Sequence, residues 1–114
     1  EGYVLWDNTY GGSYDDKGFS IVESIDDATF TFCGQTNSYG ITSFDAWIVQ
    51  IDSEGNELHN YTVGGYNTEK TFGIDIGEDG GFIITGETSS IGLGGSDILL
   101  IKTDSHGNTN PFPE

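Results

Sequence analysis

The sequence predicts an all-β protein. Three observations carry that expectation. Glycine recurs every few residues, 18 times in a chain of 114. No stretch keeps a 3.6-residue apolar period between helix caps. Short runs of β-branched and aromatic residues alternate with turn signals instead. The chain also says much the same thing twice, since "YGGSYDDKGFSIVES" from Tyr10 returns as "VGGYNTEKTFGIDIG" from Val63. Gly11-Gly12 aligns with Gly64-Gly65 at an offset of 53 residues, whereas Asp45 aligns with Asp97, and Gly55-Asn56 with Gly107-Asn108, at 52. One residue is therefore extra in the first copy, near "ESIDDAT". A period of about fifty residues points to propeller blades or a related repeat array.

Taken in order, the first element is an orphan. "YVLWDNTYGG", from Tyr3, matches the later "ELHNYTVGG", from Glu57, with Leu5 on Leu58, Thr9 on Thr62 and Tyr10 on Val63. The first copy then reads as four strands: "GFSIVES", "FTFCGQT", "DAWIVQID" and "ELHNYTVGG". Between the first two, Asp26-Asp27-Ala28-Thr29 is a poor turn without glycine, which fits the extra residue and a bulge. Ser53-Glu54-Gly55-Asn56 is a good turn into the fourth strand. The second copy repeats three of the strands as "TFGIDIG", "FIITGET" and "DILLIKTD", with Glu78-Asp79-Gly80-Gly81 as a good hairpin turn. "AWIVQI" and "ILLI" are nearly continuous apolar runs, which suit strands covered on both faces.

The second copy has no fourth strand of its own. It runs into "TNPFPE", where Pro111 and Pro113 cannot donate to a ladder. The expected architecture is thus two four-stranded antiparallel propeller-type blades, circularly shifted. Residues 1–12 form the orphan outer strand, 13–65 the first blade, 66–108 the second blade without its outer strand, and 109–114 a tail. An open apolar edge invites aggregation unless it is covered. The economical cover is Tyr3, Val4, Leu5, Trp6, Thr9 and Tyr10 of a neighbouring subunit laid along Ile98, Leu99, Leu100 and Ile101, a β-strand addition. The alternatives are that the orphan strand folds back on its own chain, or that these residues belong to a longer propeller, since closed rings need roughly four to eight blades.

Charge narrows the partners. Nineteen acids face three lysines, Lys17, Lys70 and Lys102, with no arginine, for a formal net charge of −16. Binding a phosphate backbone needs several cations, so nucleic acid is not an expected partner, and anionic membranes are disfavoured for the same reason. No apolar run approaches the length of a membrane span. Cys33 is the single cysteine, so no internal disulfide forms, and its setting in "FTFCG" reads as a small buried hydrophobe. Asn60-Tyr61-Thr62 is a glycan-acceptor sequon if the protein is extracellular.

No catalytic constellation emerges, and an enzyme is not expected. His59 and His106 lack partners at metal-ligand spacing and read as exposed spacers. "GLGGSD" from Gly92 lacks the lysine and helix of a phosphate cradle. Calcium is the one cofactor the acidic loops could hold, with Asp15, Asp16, Asp45 and Asp97 as candidate ligands. Asp45 and Asp97 recur just before the third strand in each copy and read first as acceptors of backbone N–H groups from the glycine loop. Tyr3, Trp6, Tyr10, Tyr14, Tyr39 and Phe44 could stack on sugars, although Trp6 and Tyr10 suit a subunit interface better.

The combination of Trp6, Tyr10-Gly11-Gly12, Asp79-Gly80-Gly81-Phe82-Ile83-Ile84, Thr88, Ser90, Gly92, Asp97, Lys102-Thr103-Asp104 and Gly107-Asn108 resembles a tandem repeat of archaeal and bacterial secreted and cell-surface proteins. Those repeats look like β-propeller blades. The resemblance implies an exported, surface-associated protein and transfers no catalytic residues. The first copy departs from the pattern by lacking the Asp-Gly-Gly turn. Together these readings favour an extracellular structural protein that assembles by strand exchange into a filament or a ring. The alternative is a propeller-type surface module that recognises glycan or protein, stabilised by calcium.

Overall fold

A computed structural model describes residues 2–39, 43–90 and 94–109. Seven strands appear among them: β1 (Asp16–Ser24), β2 (Thr29–Thr36), β3 (Asp45–Asp52), β4 (Glu57–Val63), β5 (Glu69–Ile76), β6 (Phe82–Thr88) and β7 (Asp97–Lys102). They form a four-stranded sheet in the order β1-β2-β3-β4 and a three-stranded sheet in the order β5-β6-β7. Every pairing is antiparallel. The all-β class is as the glycine spacing and strand patterning require. Pro111 and Pro113 lie outside the described residues.

Turn chemistry sets the hairpins. Between β3 and β4, Gly55 takes φ 88°, while Asp52 Oδ1 accepts the Glu54 and Asn56 N–H groups, each at 2.9 Å. After β7 the same turn recurs, with Gly107 at φ 82° and Asp104 Oδ1 accepting from His106 and Asn108. Between β5 and β6, Gly80 takes φ 86°. Between β1 and β2, Ala28 holds the left-handed position at φ 56°.

The extra residue of the first copy sits in that turn rather than in a bulge: Ser24 and Thr29 enclose one residue more than their counterparts Gly77 and Gly81. The bulges lie elsewhere and occur in both copies, where the register skips Phe19 in β1 and Phe72 in β5. Each sits beside an obligatory glycine. A Cβ at Gly34 would overlap the Lys17 carbonyl oxygen, and one at Gly86 would overlap that of Lys70.

The sheets pack face to face. Cys33, Ala46 and Ile48 of the first meet Phe82, Ile84 and Ile101 of the second, with Val22, Tyr61, Val63, Ile74 and Leu99 around them. Burial pushes the Cys33 thiol pKa up, a shift the Thr71 hydroxyl partly offsets. The second sheet's β5 lies against β1, β2 and β3. On the far face of the first sheet, Trp47, Val49 and Ile51 pack with Tyr10, Phe30 and Phe32. Consequently β3 is buried on both faces from Asp45 to Ile51, as its continuous apolar run requires. β7 departs from that expectation. Its residues alternate in exposure because nothing among the described residues covers its outer face.

Candidate functional site

Two surfaces are unfinished, and both involve β7. The first is its free edge. In the four-stranded sheet, β4 lies beside β3, but among the described residues β7, the counterpart of β3, pairs with β6 alone. A groove of about 640 Å³ runs along that side, between Thr62, Val63 and Gly64 on one wall and Leu100, Ile101 and Lys102 on the other, with Thr109 also lining it and no further strand in it among the described residues. The predicted acceptor residues divide by face. Ile101 is buried and Leu99 half-buried against the first sheet, while Ile98 and Leu100 are 85% and 69% exposed.

The predicted donor residues Tyr3, Val4, Leu5, Trp6, Thr9 and Tyr10 belong to no strand in this chain. Tyr3, Val4 and Leu5 are exposed. The segment is nonetheless placed. Trp6 Nε1 donates to the Ser53 carbonyl at 3.1 Å, and Asn8 Nδ2 and the Tyr10 hydroxyl both donate to the Gly55 carbonyl, at 3.1 and 2.6 Å. The Tyr10 ring lies 5.4 Å from Phe32. This pose has a precedent inside the molecule. β4 rests on the second sheet in the same way, with Tyr61 over Gly107, the counterpart of Gly55, and Val63 against the cluster that holds Ile84, the counterpart of Phe32. Residues 6–10 therefore lie on the first sheet as β4 lies on the second, without a ladder partner.

A polar clamp recurs at the start of each sheet. Gly12 N–H donates to Asp16 Oδ2 at 3.1 Å, and Gly65 N–H to Glu69 Oε1 at 3.0 Å. The Thr36 hydroxyl donates to Asp16 Oδ1, and the Thr88 hydroxyl to Glu69 Oε2. Ser38 and Ser90 close the network through Thr36 Oγ1 and Thr88 Oγ1. Glycine is needed here because a Cβ at Gly12 would lie 2.6 Å from Ser38, and one at Gly65 would lie 2.8 Å from Ser90. Asp45 of β3 approaches the second clamp, and a Cβ on Gly64 would overlap its carboxylate. Burial first, and the neighbouring Glu69 charge second, push the Asp45 pKa up.

The other sequence candidates are scattered. Asp97 accepts the Gly94 N–H at 3.1 Å, and Asp15 flanks Asn37 through its backbone. Among the described residues, no group of three His, Cys, Asp or Glu side chains is placed to hold a metal ion. The Asn60 carboxamide accepts from Trp47 Nε1 at 2.8 Å and donates to Glu57 at 3.2 Å. Tyr39 lies 6.1 Å from Trp47, and Tyr3, Tyr14 and Tyr39 are all exposed. Of the two histidines read as exposed spacers, His106 is exposed and His59 half-buried, and their rings lie 5.5 Å apart where β4 meets the turn that follows β7. Glu69 was missed altogether, although the shared spacing of Gly-Gly-x-x-x-acid in both copies signals it. Lys102 pairs with Asp79 at 2.9 Å and holds that carboxyl below its ordinary pKa.

No family model matches the chain, and no curated protein matches it.

Proposed function

We propose that this chain is an extracellular structural protein that assembles with copies of itself by β-strand addition. Residues 3–10 of one subunit would lie in the groove beside β7 of the next and complete its second blade. The observation that carries this reading is the pair of complementary lacks. Residues 6–10 lie on the first sheet in the pose of an outer strand but without a ladder partner, while among the described residues β7 offers a free edge and a groove with no strand in it. Main-chain hydrogen bonds would supply affinity, and alternate side chains the register. The contact is heterologous, so rotation between subunits decides between a closed ring of three or four chains and a filament. A high acidic charge keeps loose subunits apart and suits an exterior rich in salt or calcium.

The register follows from the repeat. Ile48 pairs with Tyr61 across β3 and β4. The offsets convert that pair into Leu100 of one subunit opposite Asn8 of the next. Mixing an Asn8→Cys variant with a Leu100→Cys variant under oxidising conditions should give a mixed disulfide. Sedimentation velocity and electron microscopy of the full chain should show rings or fibres. Deleting residues 2–10 should leave monomers or precipitate. A full chain that stays monomeric at high micromolar concentration, and yields no mixed disulfide, sinks the reading. Glycan binding by such a monomer would favour the surface-recognition alternative.

A further inference from the structure

The second unfinished surface is the outer face of the three-stranded sheet, and the molecule contains its own template for what covers it. On the corresponding face of the four-stranded sheet lies β5. There the Glu69 N–H donates to the Phe44 carbonyl at 2.8 Å, and the Thr71 hydroxyl donates to the Gly34 carbonyl at 2.8 Å. Phe72 rests 5.6 Å from Phe19, and Asp45 faces Glu69. Cys33 and Ala46 are fully buried by the sheet behind β5.

Shifting each of those residues by the repeat offset lands on a hollow. Phe19, Gly34, Gln35, Phe44, Asp45 and Ala46 become Phe72, Gly86, Glu87, Ser96, Asp97 and Ile98. Those six residues line a depression of about 310 Å³ on the outer face of the three-stranded sheet. Beside it stands Thr85, the counterpart of Cys33, which is exposed where Cys33 is sealed. The strand that fits by the same shift is β1, since Asp16 corresponds to Glu69 and Phe19 to Phe72.

We infer that this hollow receives β1 of a second copy of the chain, so that the outer face of one subunit's three-stranded sheet packs against the Phe30 and Phe32 face of the next. Asp16 N–H of the incoming copy donates to the Ser96 carbonyl. Phe19 rests on Phe72, and Asp97 faces the Gly11–Asp16 clamp. The inference rests on the strand-addition reading and deepens it. Residues 3–10 and β1 are separated in sequence only by the Gly11–Asp15 turn, so a neighbour that lends its strand to the β7 edge also brings β1 to the hollow. Edge and face are filled by one partner.

The test separates the two contacts. Thr85→Arg and Ile83→Lys alter the outer face from β6 while leaving β7 and residues 2–10 intact, and both side chains are exposed, so the isolated fold is spared. Each variant is made in the full chain, checked for a native near-ultraviolet dichroism spectrum, and followed by sedimentation velocity. The mixed disulfide between Asn8→Cys and Leu100→Cys chains is scored in parallel. The expected result is a rise of tenfold or more in the concentration needed for assembly, with the disulfide still forming at high concentration. Unchanged assembly of both variants, with the disulfide intact, overturns the face contact and leaves strand addition standing. Absence of assembly and disulfide in the unsubstituted face overturns both.

Discussion

Ala28 occupies a left-handed backbone position, φ 56°, that its three counterparts in the hairpin turns, Gly55, Gly80 and Gly107, reach without a Cβ. The clash between Cβ and the following carbonyl costs about 1–2 kcal/mol in that region. Glycine returns part of the gain through its greater freedom in the unfolded chain, about 0.5–1 kcal/mol. Ala28→Gly should therefore stabilise the protein by about 0.5–1 kcal/mol, read as a higher urea midpoint with an unchanged slope. An equal or lower midpoint would show that the four-residue turn relaxes to relieve the strain by another route.

At the scale of the element, the bulges are the feature with the sharpest steric demand. Gly86 faces the Lys70 carbonyl so closely that a Cβ there must displace backbone, whereas a Cβ at Gly73, one residue past the bulged Phe72, would meet only a Thr85 methyl at 3.4 Å. Gly86→Ala should cost about 1–3 kcal/mol by overpacking, while Gly73→Ala should change stability by less than that. Thermal unfolding of the two variants side by side checks the difference. The strands themselves were legible from sequence because runs of β-branched and aromatic residues and Asp-Gly or Glu-Gly turns are local signals. β3 could be read as doubly buried from "AWIVQI" alone. The similar run "ILLI" in β7 is covered on one face only among the described residues, because a sequence states which faces are apolar and not whether anything has arrived to cover them. The His59–His106 contact was hidden for a related reason, because only the packing of one sheet on the other brings the two rings near. Glu69 was hidden because its partner Thr88 is brought opposite it by the β5–β6 pairing.

At the scale of the whole molecule, the two sheets are joined by an apolar core, and at its rim they bring a like-charged pair together, Asp45 on β3 and Glu69 on β5. A carboxyl whose native pKa is raised holds its proton more tightly folded than unfolded. Its stabilising contribution is complete below the ordinary carboxylate value and is lost as pH rises through the raised one. Asp45→Asn removes that titration. The variant should be more stable than the parent at neutral pH, and the two should converge as pH falls below the ordinary carboxylate range. Urea midpoints measured across that window decide the matter, and parallel curves at all pH values would show that the pair carries no such coupling.

Because the acceptor groove and the donor segment are unlike surfaces rather than one patch facing itself, a row of these subunits would possess direction. One terminus would always display an uncovered ribbon and the other an empty slot. A short peptide copying residues 2–12 would plug the slot and leave the ribbon untouched, halting elongation from a single side.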